Sequence, residues 1–261
     1  MHRPLALVTG ASSGIGKELA RDLARRGHDL VLVARRAAEM EALATELRAA
    51  HAAQCTVLSV DLTAQGAIEA LVAQLSARQL QPDVLVNNAG LGTSGPHHRN
   101  TWANEQRQID LNITALTALT HALLPAMVAR KQGKILNVAS TAAFQAGPGM
   151  AVYFATKAYV LSYSEALHEE LGHLGITVTA LCPGPTRSEF FDVAFDAKRP
   201  AILDRVPMAP CADVARYGLD ALMSGQAVAV HGWLNRLGVW SVRITPRSVL
   251  RKIMTRLFKA H

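Results

Sequence analysis

A tyrosine and a lysine four positions apart, Tyr153 and Lys157 in the segment YFATK, are the pair whose residue types most directly suggest chemistry. Four positions is about one helical turn, so both side chains share a face if the segment is helical. A phenol has a pKa of about 10 and is a poor base near neutral pH, but a neighbouring ammonium favours the phenolate. The pair is therefore either an acid/base device or an accident of spacing, because the pattern alone is weak.

The elements that would position this pair alternate between short apolar strands and amphipathic helices. Helical patterns include a long region from about residue 102 to 130 and a segment from about residue 151 to 174 that carries Tyr153. Continuous Val, Leu and Ile strands alternating with helices predict a parallel sheet buried on both faces. The predicted strands are LALVTG, DLVLVAR, CTVLSVD, DVLVNNAG, KILNVAS, ITVTALCPG and AVAVHG.

An irregular segment, residues 185–210, follows the sixth predicted strand. Ligands of open α/β sheets bind beyond the carboxyl ends of the strands, so this segment is a candidate substrate lid.

A glycine-rich loop, TGASSGIG, separates the first predicted strand from the first helix. Glycines permit a tight turn and close backbone approach, and the amides at a helix N-terminus then face an anion such as a pyrophosphate. A lone glycine triplet is weak evidence, but the strand before it and the helix after it are the context that a dinucleotide site requires. The predicted contacts in this loop are Gly10, Ser12, Ser13, Gly14, Ile15 and Gly16.

The second predicted strand ends in VARR, where Arg35 and Arg36 stand without an acidic residue. In dinucleotide-binding folds an acid at this point binds the ribose 2′-hydroxyl, and an arginine accommodates a 2′-phosphate. The two arginines therefore predict NADP(H) as the preferred cofactor, with NAD(H) as the alternative. Arg35 is the residue that we expect to contact the phosphate, and Arg36 is either a second contact or solvated surface.

Composition narrows the class of protein. Of the 261 residues half are hydrophobic and 18% are charged, which suits one large α/β domain. Three widely spaced cysteines fit neither a disulfide framework nor a metal site, so we expect a reducing compartment and no bound metal. The absence of a signal-like N-terminal run and of an uncharged membrane-spanning run predicts a cytoplasmic protein.

The net charge of +7 is concentrated at the C-terminal end of the chain. All 20 acidic residues lie at or before Asp220, whereas the last 26 residues contain seven Lys and Arg. The high pI therefore belongs to this tail and does not indicate a nucleic-acid-binding body.

The motifs TGASSGIG, NNAG, a serine after the fifth strand, YFATK thirteen residues later and PG after the sixth strand occur in one order. In this combination, over about residues 5–230, the chain resembles the short-chain dehydrogenase/reductase family. The resemblance implies a single Rossmann-like, doubly wound parallel sheet of about seven strands with helices on both faces. We assign residues 1–232 to this catalytic domain and residues 233–261 to a basic, amphipathic C-terminal extension.

The resemblance also implies roles for four residues. Tyr153 would exchange the proton with the carbonyl or alcohol oxygen, and Lys157 would hold the nicotinamide ribose and lower the pKa of the tyrosine. Ser140 would form a hydrogen bond with the substrate oxygen. Asn112 matches the family asparagine that kinks a helix and steadies a water-borne proton relay. The remaining cofactor contacts implied by the resemblance are Asp61, Leu62, Asn87, Ala89, Gly90, Pro183, Gly184, Thr186 and Ser188, with serine at the last position where the family usually has threonine.

These roles imply an NADP(H)-dependent oxidoreductase that interconverts a carbonyl and an alcohol, with an apolar ketone or aldehyde as the expected substrate. A non-catalytic dinucleotide-binding sensor or scaffold is the alternative, although a sensor has no need of an acid/base pair. A homodimer or homotetramer is the expected assembly.

The C-terminal extension after Pro246 carries apolar residues at helical spacing among five basic residues. Such a helix either packs on its own domain or a second subunit, or lies on an anionic membrane surface through residues 247–261. The packed arrangement is the favoured one, because most amphipathic helices in compact domains face a core. The stripe comprises Val249, Leu250, Ile253, Met254, Leu257 and Phe258.

Overall fold

The computed structural model describes residues 3–195 and 208–257. In this part of the chain seven strands form one sheet in the order β3-β2-β1-β4-β5-β6-β7, and every pairing is parallel. The prediction of a parallel sheet of about seven strands is confirmed. The strands are β1 Leu5–Thr9, β2 Asp29–Ala34, β3 Cys55–Ser59, β4 Val84–Asn87, β5 Gly133–Val138, β6 Ile176–Cys182 and β7 Val228–Val230.

Helices cover both faces of the sheet because the strand residues are apolar on both sides. Along β2, for example, Leu30 and Leu32 belong to one buried cluster, whereas Val31 and Val33 belong to another. The helices are α1 Gly14–Arg25, α2 Ala37–His51, α3 Ala67–Ala77, α4 Trp102–Ile109, α5 Leu116–Arg130, α6 Ala151–Gly172, α7 Phe190–Phe195, α8 Cys211–Met223, α9 Trp233–Ile244 and α10 Arg247–Leu257.

The first cluster lies under α1, α2 and α8, and the second lies under α3, α5 and α6. The Rossmann-like, doubly wound architecture is therefore confirmed.

The strand order reverses at β1, which pairs with β2 on one side and with β4 on the other. Successive crossovers leave the sheet in opposite directions at this point, and a crevice opens beyond the carboxyl ends of the two strands. The glycine loop follows β1 and the NNAG segment follows β4, so both motifs border the crevice.

The long helical region predicted over residues 102–130 is interrupted by a π-helical segment, Asp110–Ala115, between α4 and α5. By length and composition alone this run, with a mean hydropathy of 1.5, resembles a membrane span. Its residues Leu119, Leu123 and Met127, however, pack in the core beneath the sheet, as expected for an apolar core helix.

The C-terminal extension forms α9 and α10, and it packs on the catalytic body through only part of its apolar surface. Leu250 and Met254 of α10 contact a cluster that includes Phe154 and Phe195, so this part of the predicted stripe packs on its own domain. Val249 and Ile253 are exposed. Phe258, the side chain of Leu257 and residues 196–207 of the predicted lid lie outside the described residues.

Candidate active site

A cavity of about 510 Å³ lies beyond the carboxyl ends of β1, β4, β5 and β6. Its volume is in the range of small-molecule and cofactor sites. The glycine loop, the NNAG segment, the serine after β5 and the segment after β6 all contribute to its wall, as the topology requires for motifs at the same edge of a parallel sheet.

The glycine loop exposes backbone to the cavity. Gly10 and Gly14 have φ angles of 66° and 55°, a left-handed conformation that side chains disfavour. A Cβ atom on Gly10 would lie 2.7 Å from the Nδ2 atom of Asn88, and one on Gly14 would lie 3.2 Å from the Cβ atom of Ser188. This open cradle at the start of α1 fits the pyrophosphate of a dinucleotide.

Gly16 differs from its prediction because it does not line the cavity. A Cβ atom there would collide with the carbonyl oxygen of Gly10 and the side chain of Asn88. Gly16 therefore allows α1 to pack closely against the loop and strand.

Asn87 also differs from its prediction, and its neighbour Asn88 takes its place at the cavity. The Asn87 side chain is buried and donates 2.9 Å hydrogen bonds to Thr120 and Asn137. Asn88 lines the cavity and donates to the carbonyl oxygen of Thr9 at 2.9 Å. Asn87 is the last residue of β4 and its side chain stays within the core, whereas Asn88 lies beyond the end of the strand, where the cavity opens.

The two arginines after β2 both line the cavity but have different partners. Arg36 donates to Glu189 at 2.9 Å and to Ser12 at 3.3 Å. The guanidinium of Arg35 makes no hydrogen bond with any residue that the structure describes, although its charge helps to lower the pKa of Asp61. Arg35 thus presents at the cavity a guanidinium with no hydrogen-bond partner among residues 3–195 and 208–257.

Asp61 and Leu62, two of the predicted cofactor contacts, line the cavity after β3. Burial raises the pKa of Asp61, but hydrogen bonds from Thr63 and the charges of Arg107 and Arg35 together hold it below its ordinary value. The carboxylate is therefore ionised at neutral pH, and its Oδ1 atom accepts the Thr63 hydroxyl at 2.7 Å.

Ser140, Tyr153 and Lys157 meet at the inner end of the cavity, where α6 passes the end of β5. The Nζ atom of Lys157 lies 5.9 Å from the centroid of the Tyr153 ring and donates a 2.7 Å hydrogen bond to the carbonyl oxygen of Val138. The Oγ atom of Ser140 accepts the amide of Ala142 at 3.1 Å, which fixes the direction of the hydroxyl. Helical spacing explains the shared face of Tyr153 and Lys157.

The pKa values of the pair contradict one expectation. Burial raises the pKa of Tyr153 to about 12, although a hydrogen bond with Ser140 lowers it. Burial also lowers the pKa of Lys157 to about 8. The expected lowering of the tyrosine pKa by the lysine is therefore not seen, because both groups are desolvated and the ammonium is directed at the Val138 carbonyl.

Asn112 lies behind the cavity wall and does not line it. Its Nδ2 atom donates to the Leu91 carbonyl at 2.8 Å and to the Thr156 hydroxyl at 2.9 Å, and its Oδ1 atom accepts the Leu91 amide at 2.9 Å. It sits in the π-helical segment Asp110–Ala115, so the predicted helix distortion is present. In this structure Asn112 clamps the segment after β4 to α6, which makes it a positioning residue.

A family model for short chain dehydrogenases matches residues 4–199. The chain belongs to the short-chain dehydrogenase family. It is accordingly an oxidoreductase that transfers hydride between a nicotinamide cofactor and an alcohol or carbonyl group. An NADP-dependent 3-hydroxy acid dehydrogenase of Salmonella typhi is 37% identical over 193 residues, which cover 73% of this chain and 76% of that protein.

Two solved structures show the same fold over nearly the whole chain. A short-chain dehydrogenase from Sphingobium yanoikuyae in complex with NADPH is 35% identical, with a TM-score of 0.81 over 92% of this chain and 93% of that one. A bulky-bulky ketone specific alcohol dehydrogenase from Comamonas testosteroni is 31% identical, with a TM-score of 0.78 over 100% of this chain and 97% of that one.

In this short-chain dehydrogenase the segment after β6 forms one wall of the cavity, and local hydrogen bonds fix its conformation. The Pro183 carbonyl accepts the Thr141 amide at 2.9 Å, and the Thr186 hydroxyl donates to the Gly184 carbonyl at 2.9 Å. Ser188, the residue that replaces threonine, lines the cavity opposite Gly14. The predicted residues Ala89 and Gly90 line the cavity from the β4 side.

An apolar wall surrounds the outer side of Tyr153, and most of it was not identified from the sequence. The rings of Tyr153 and Phe190 lie 5.2 Å apart between centroids. The wall had no motif to mark it, and Met254 reaches it from α10, far along the chain. The other apolar side chains that line this part of the cavity are Met150, Phe154, Phe191, Val193 and Phe195.

Proposed function

We propose that this short-chain dehydrogenase is an NADP(H)-dependent carbonyl reductase for bulky, apolar ketones or aldehydes, which also catalyses the reverse oxidation. The observation that carries the proposal is the convergence of Tyr153, Ser140 and Lys157 on the cavity that the glycine loop opens. The proposal assigns the proton to Tyr153, the orientation of the substrate oxygen to Ser140 and a supporting positive charge to Lys157.

Tyr153, whose pKa burial raises to about 12, would act as the general acid in reduction. A phenol with this pKa keeps its proton at neutral pH and is available to donate it to an oxygen that gains negative charge. Ser140 would donate a hydrogen bond to the same oxygen and stabilise the charge as it develops. In the reverse oxidation the deprotonated phenolate would accept the proton from the alcohol.

The residues present fit a dinucleotide, which would supply the hydride. The backbone of residues 10–16 would hold the pyrophosphate, Asp61 and Leu62 would lie beside the adenine, and residues 183–188 would lie beside the nicotinamide amide. Lys157 would hold the nicotinamide ribose near Gly90, where a Cβ atom would lie 3.4 Å from its Nζ atom. Asn112 would act through the positions of Leu91 and α6.

The preference for the phosphorylated cofactor rests on Arg35. Its guanidinium lies at the cavity rim without a hydrogen-bond partner among the described residues, whereas Arg36 is held by Ser12 and Glu189. A guanidinium is well suited to a phosphate. Use of NAD(H) is the alternative, since nothing in the loop excludes the unphosphorylated ribose.

The substrate class rests on the apolar wall around Tyr153. Aromatic rings and methionines offer no hydrogen bonds to a polar substrate away from its carbonyl, but they bury apolar surface well. The similarity to a ketone-specific alcohol dehydrogenase supports the same class.

The proposal includes a homodimer or homotetramer located in the cytoplasm. Peripheral membrane contact through residues 247–261 is the alternative that the sequence favours less. A non-catalytic dinucleotide sensor is the competing function, and it would bind NADPH without turnover.

The proposal is tested by following NADPH absorbance with a panel of carbonyl compounds: a bulky aromatic ketone, a small aliphatic ketone and an acyl thioester of a 3-keto acid. We expect NADPH consumption with the bulky ketone and a lower kcat/KM for the small one. Tight NADPH binding without consumption across the panel would support the sensor and overturn the proposal. Selective consumption with the thioester would keep the reductase but change its substrate class.

A further inference from the structure

We propose that α9 and α10 form a docking surface for an anionic lipid bilayer, independent of the reaction. The surface is centred on four residues of α9 that we call the docking stripe: Trp233, Leu237, Trp240 and Ile244. The sequence predicts residues 247–261 as the segment that could contact a membrane. In the structure, however, Leu250 and Met254 of that segment pack against the catalytic domain.

The docking stripe is exposed although it is apolar. Trp233 is 71% exposed, Trp240 is 58% exposed and Ile244 is 65% exposed. Spacings of four, three and four residues place the stripe on one face of α9. Seven of the ten large hydrophobic side chains that are exposed in the described structure lie between Trp233 and Ile253. Monomeric soluble proteins rarely expose such a contiguous apolar surface without a partner.

The inner face of α9 is tied to the body, so the outward direction of the stripe is set by specific contacts. Asn235 donates to the His231 carbonyl at 2.8 Å, and Arg236 donates to the Val230 carbonyl at 3.1 Å and to the Tyr217 hydroxyl at 3.2 Å. Asn235, Val239 and Val242, at spacings of four and three residues, form the half-buried side of α9. The stripe is therefore held away from the core.

Basic residues lie on both helices of the proposed surface. The chain contains no acidic residue after Asp220. The basic residues on α9 and α10 other than Arg236 form no ion pair with any residue in the described ranges. They are Arg243, Arg247, Arg251, Lys252 and Arg256.

An anionic bilayer matches this combination better than a second copy of the chain. A two-fold interface places the same patch on both partners, so it would bring two unneutralised basic tails together. A lipid surface supplies the opposite charge together with an apolar layer for the stripe. Tryptophan also favours the membrane–water interface, because its ring is apolar and its N–H group can remain solvated.

The experiment is a co-sedimentation assay with vesicles of phosphatidylglycerol and phosphatidylcholine in equal parts, with pure phosphatidylcholine vesicles as reference. We expect the full-length protein to bind the anionic vesicles at low ionic strength and to be released by salt. Trp240→Ser with Leu237→Ser should weaken binding at least tenfold. The triple variant Arg243→Gln, Arg247→Gln, Arg251→Gln should weaken it about a hundredfold.

Trp102→Ser is the matched control. Trp102 is the one tryptophan of the chain's three that lies outside α9, and it is 68% exposed on α4. It should bind vesicles like the wild type, and retained NADPH binding would show that each variant is folded.

Failure of the full-length protein to bind anionic vesicles, or equal binding by all variants, would overturn the proposal. A smaller oligomer of Trp240→Ser, Leu237→Ser with no vesicle binding by the wild type would identify a subunit interface instead. None of these results depends on turnover, so the reductase proposal is judged separately.

Discussion

The ammonium of Lys157 donates to the Val138 carbonyl at 2.7 Å and lies 5.9 Å from the centroid of the Tyr153 ring. The lysine is thus anchored to the end of β5 beneath the tyrosine, where both groups are desolvated. In this arrangement the lysine does not create a phenolate. The phenol keeps its proton, and burial lowers the pKa of the lysine that provides the positive charge.

The buried ammonium predicts a pH-dependent stability. The pKa of Lys157 falls from 10.5 to about 8 on folding, so the unfolded chain binds more protons between these pH values and stability rises with pH across them. The difference corresponds to about 3 kcal/mol. Lys157→Met removes the group and should remove this rise. Urea unfolding near pH 8 and near pH 10 measures the free energy of unfolding of both proteins. The same change between the two pH values in the wild type and in the variant would contradict the assigned pKa shift.

Cofactor preference should depend on Arg35. Arg35→Asp removes the guanidinium and places a carboxylate where a ribose 2′-hydroxyl would lie, so we expect NADPH affinity to fall about tenfold to a hundredfold and NADH to be favoured. Dissociation constants for both cofactors from fluorescence titration provide the measurement. Arg36→Ala is the matched control, because that guanidinium already contacts Ser12 and Glu189, and its effect should be smaller. Equal affinity of the wild type for both cofactors would refute the assignment.

Gly16 should tolerate no side chain even though it does not face the cavity. Gly16→Ala forces a Cβ atom into the Gly10 carbonyl and the Asn88 side chain, so we expect a destabilisation of about 1–3 kcal/mol and weaker NADPH binding. Gly172→Ala, at the end of α6 with open space around the new Cβ atom, should be neutral or slightly stabilising. Thermal unfolding gives the melting temperatures of both variants. Equal melting temperatures would contradict the prediction, because they would show that α1 shifts to accommodate the new Cβ atom without loss of stability.

The sequence allowed the sheet to be predicted because its strands are continuous apolar runs separated by helices. It also located the glycine loop and the Tyr153–Lys157 pair, since their spacing is local. It did not distinguish Asn87 from Asn88, because which side chain reaches the cavity depends on where β4 ends and how the chain continues after it. The helix distortion at Asn112 was implied only by the family resemblance, and the contact of Asn112 with Leu91, 21 positions away, could not be predicted from local spacing.

The apolar wall and the C-terminal extension show a second limit of local patterns. Helical periodicity identified an apolar stripe on α10, but which residues meet the body depends on where α7 and α6 lie. The structure places Met254 against Phe154 and Phe195 and leaves Val249 and Ile253 exposed. The exposure of the docking stripe on α9 could not be predicted from charge and periodicity, because it depends on which face of α9 the body covers.

The central claim is that the Tyr153 hydroxyl donates the proton in carbonyl reduction. Tyr153→Phe removes only that hydroxyl, so NADPH binding should persist while turnover falls by at least about 10² to 10⁴. Tyr159→Phe is the matched control, because Tyr159 lies on the same helix and its hydroxyl contacts Thr117 at 3.0 Å outside the cavity.

The most direct measurement is a single-turnover reaction of enzyme-bound, 4-deuterated NADPH with a bulky aromatic ketone, with the deuterium in the product alcohol followed by mass spectrometry. We expect deuterium at the carbinol carbon with the wild type and with Tyr159→Phe, and almost none with Tyr153→Phe on the same timescale. Transfer by Tyr153→Phe at the wild-type rate would contradict it.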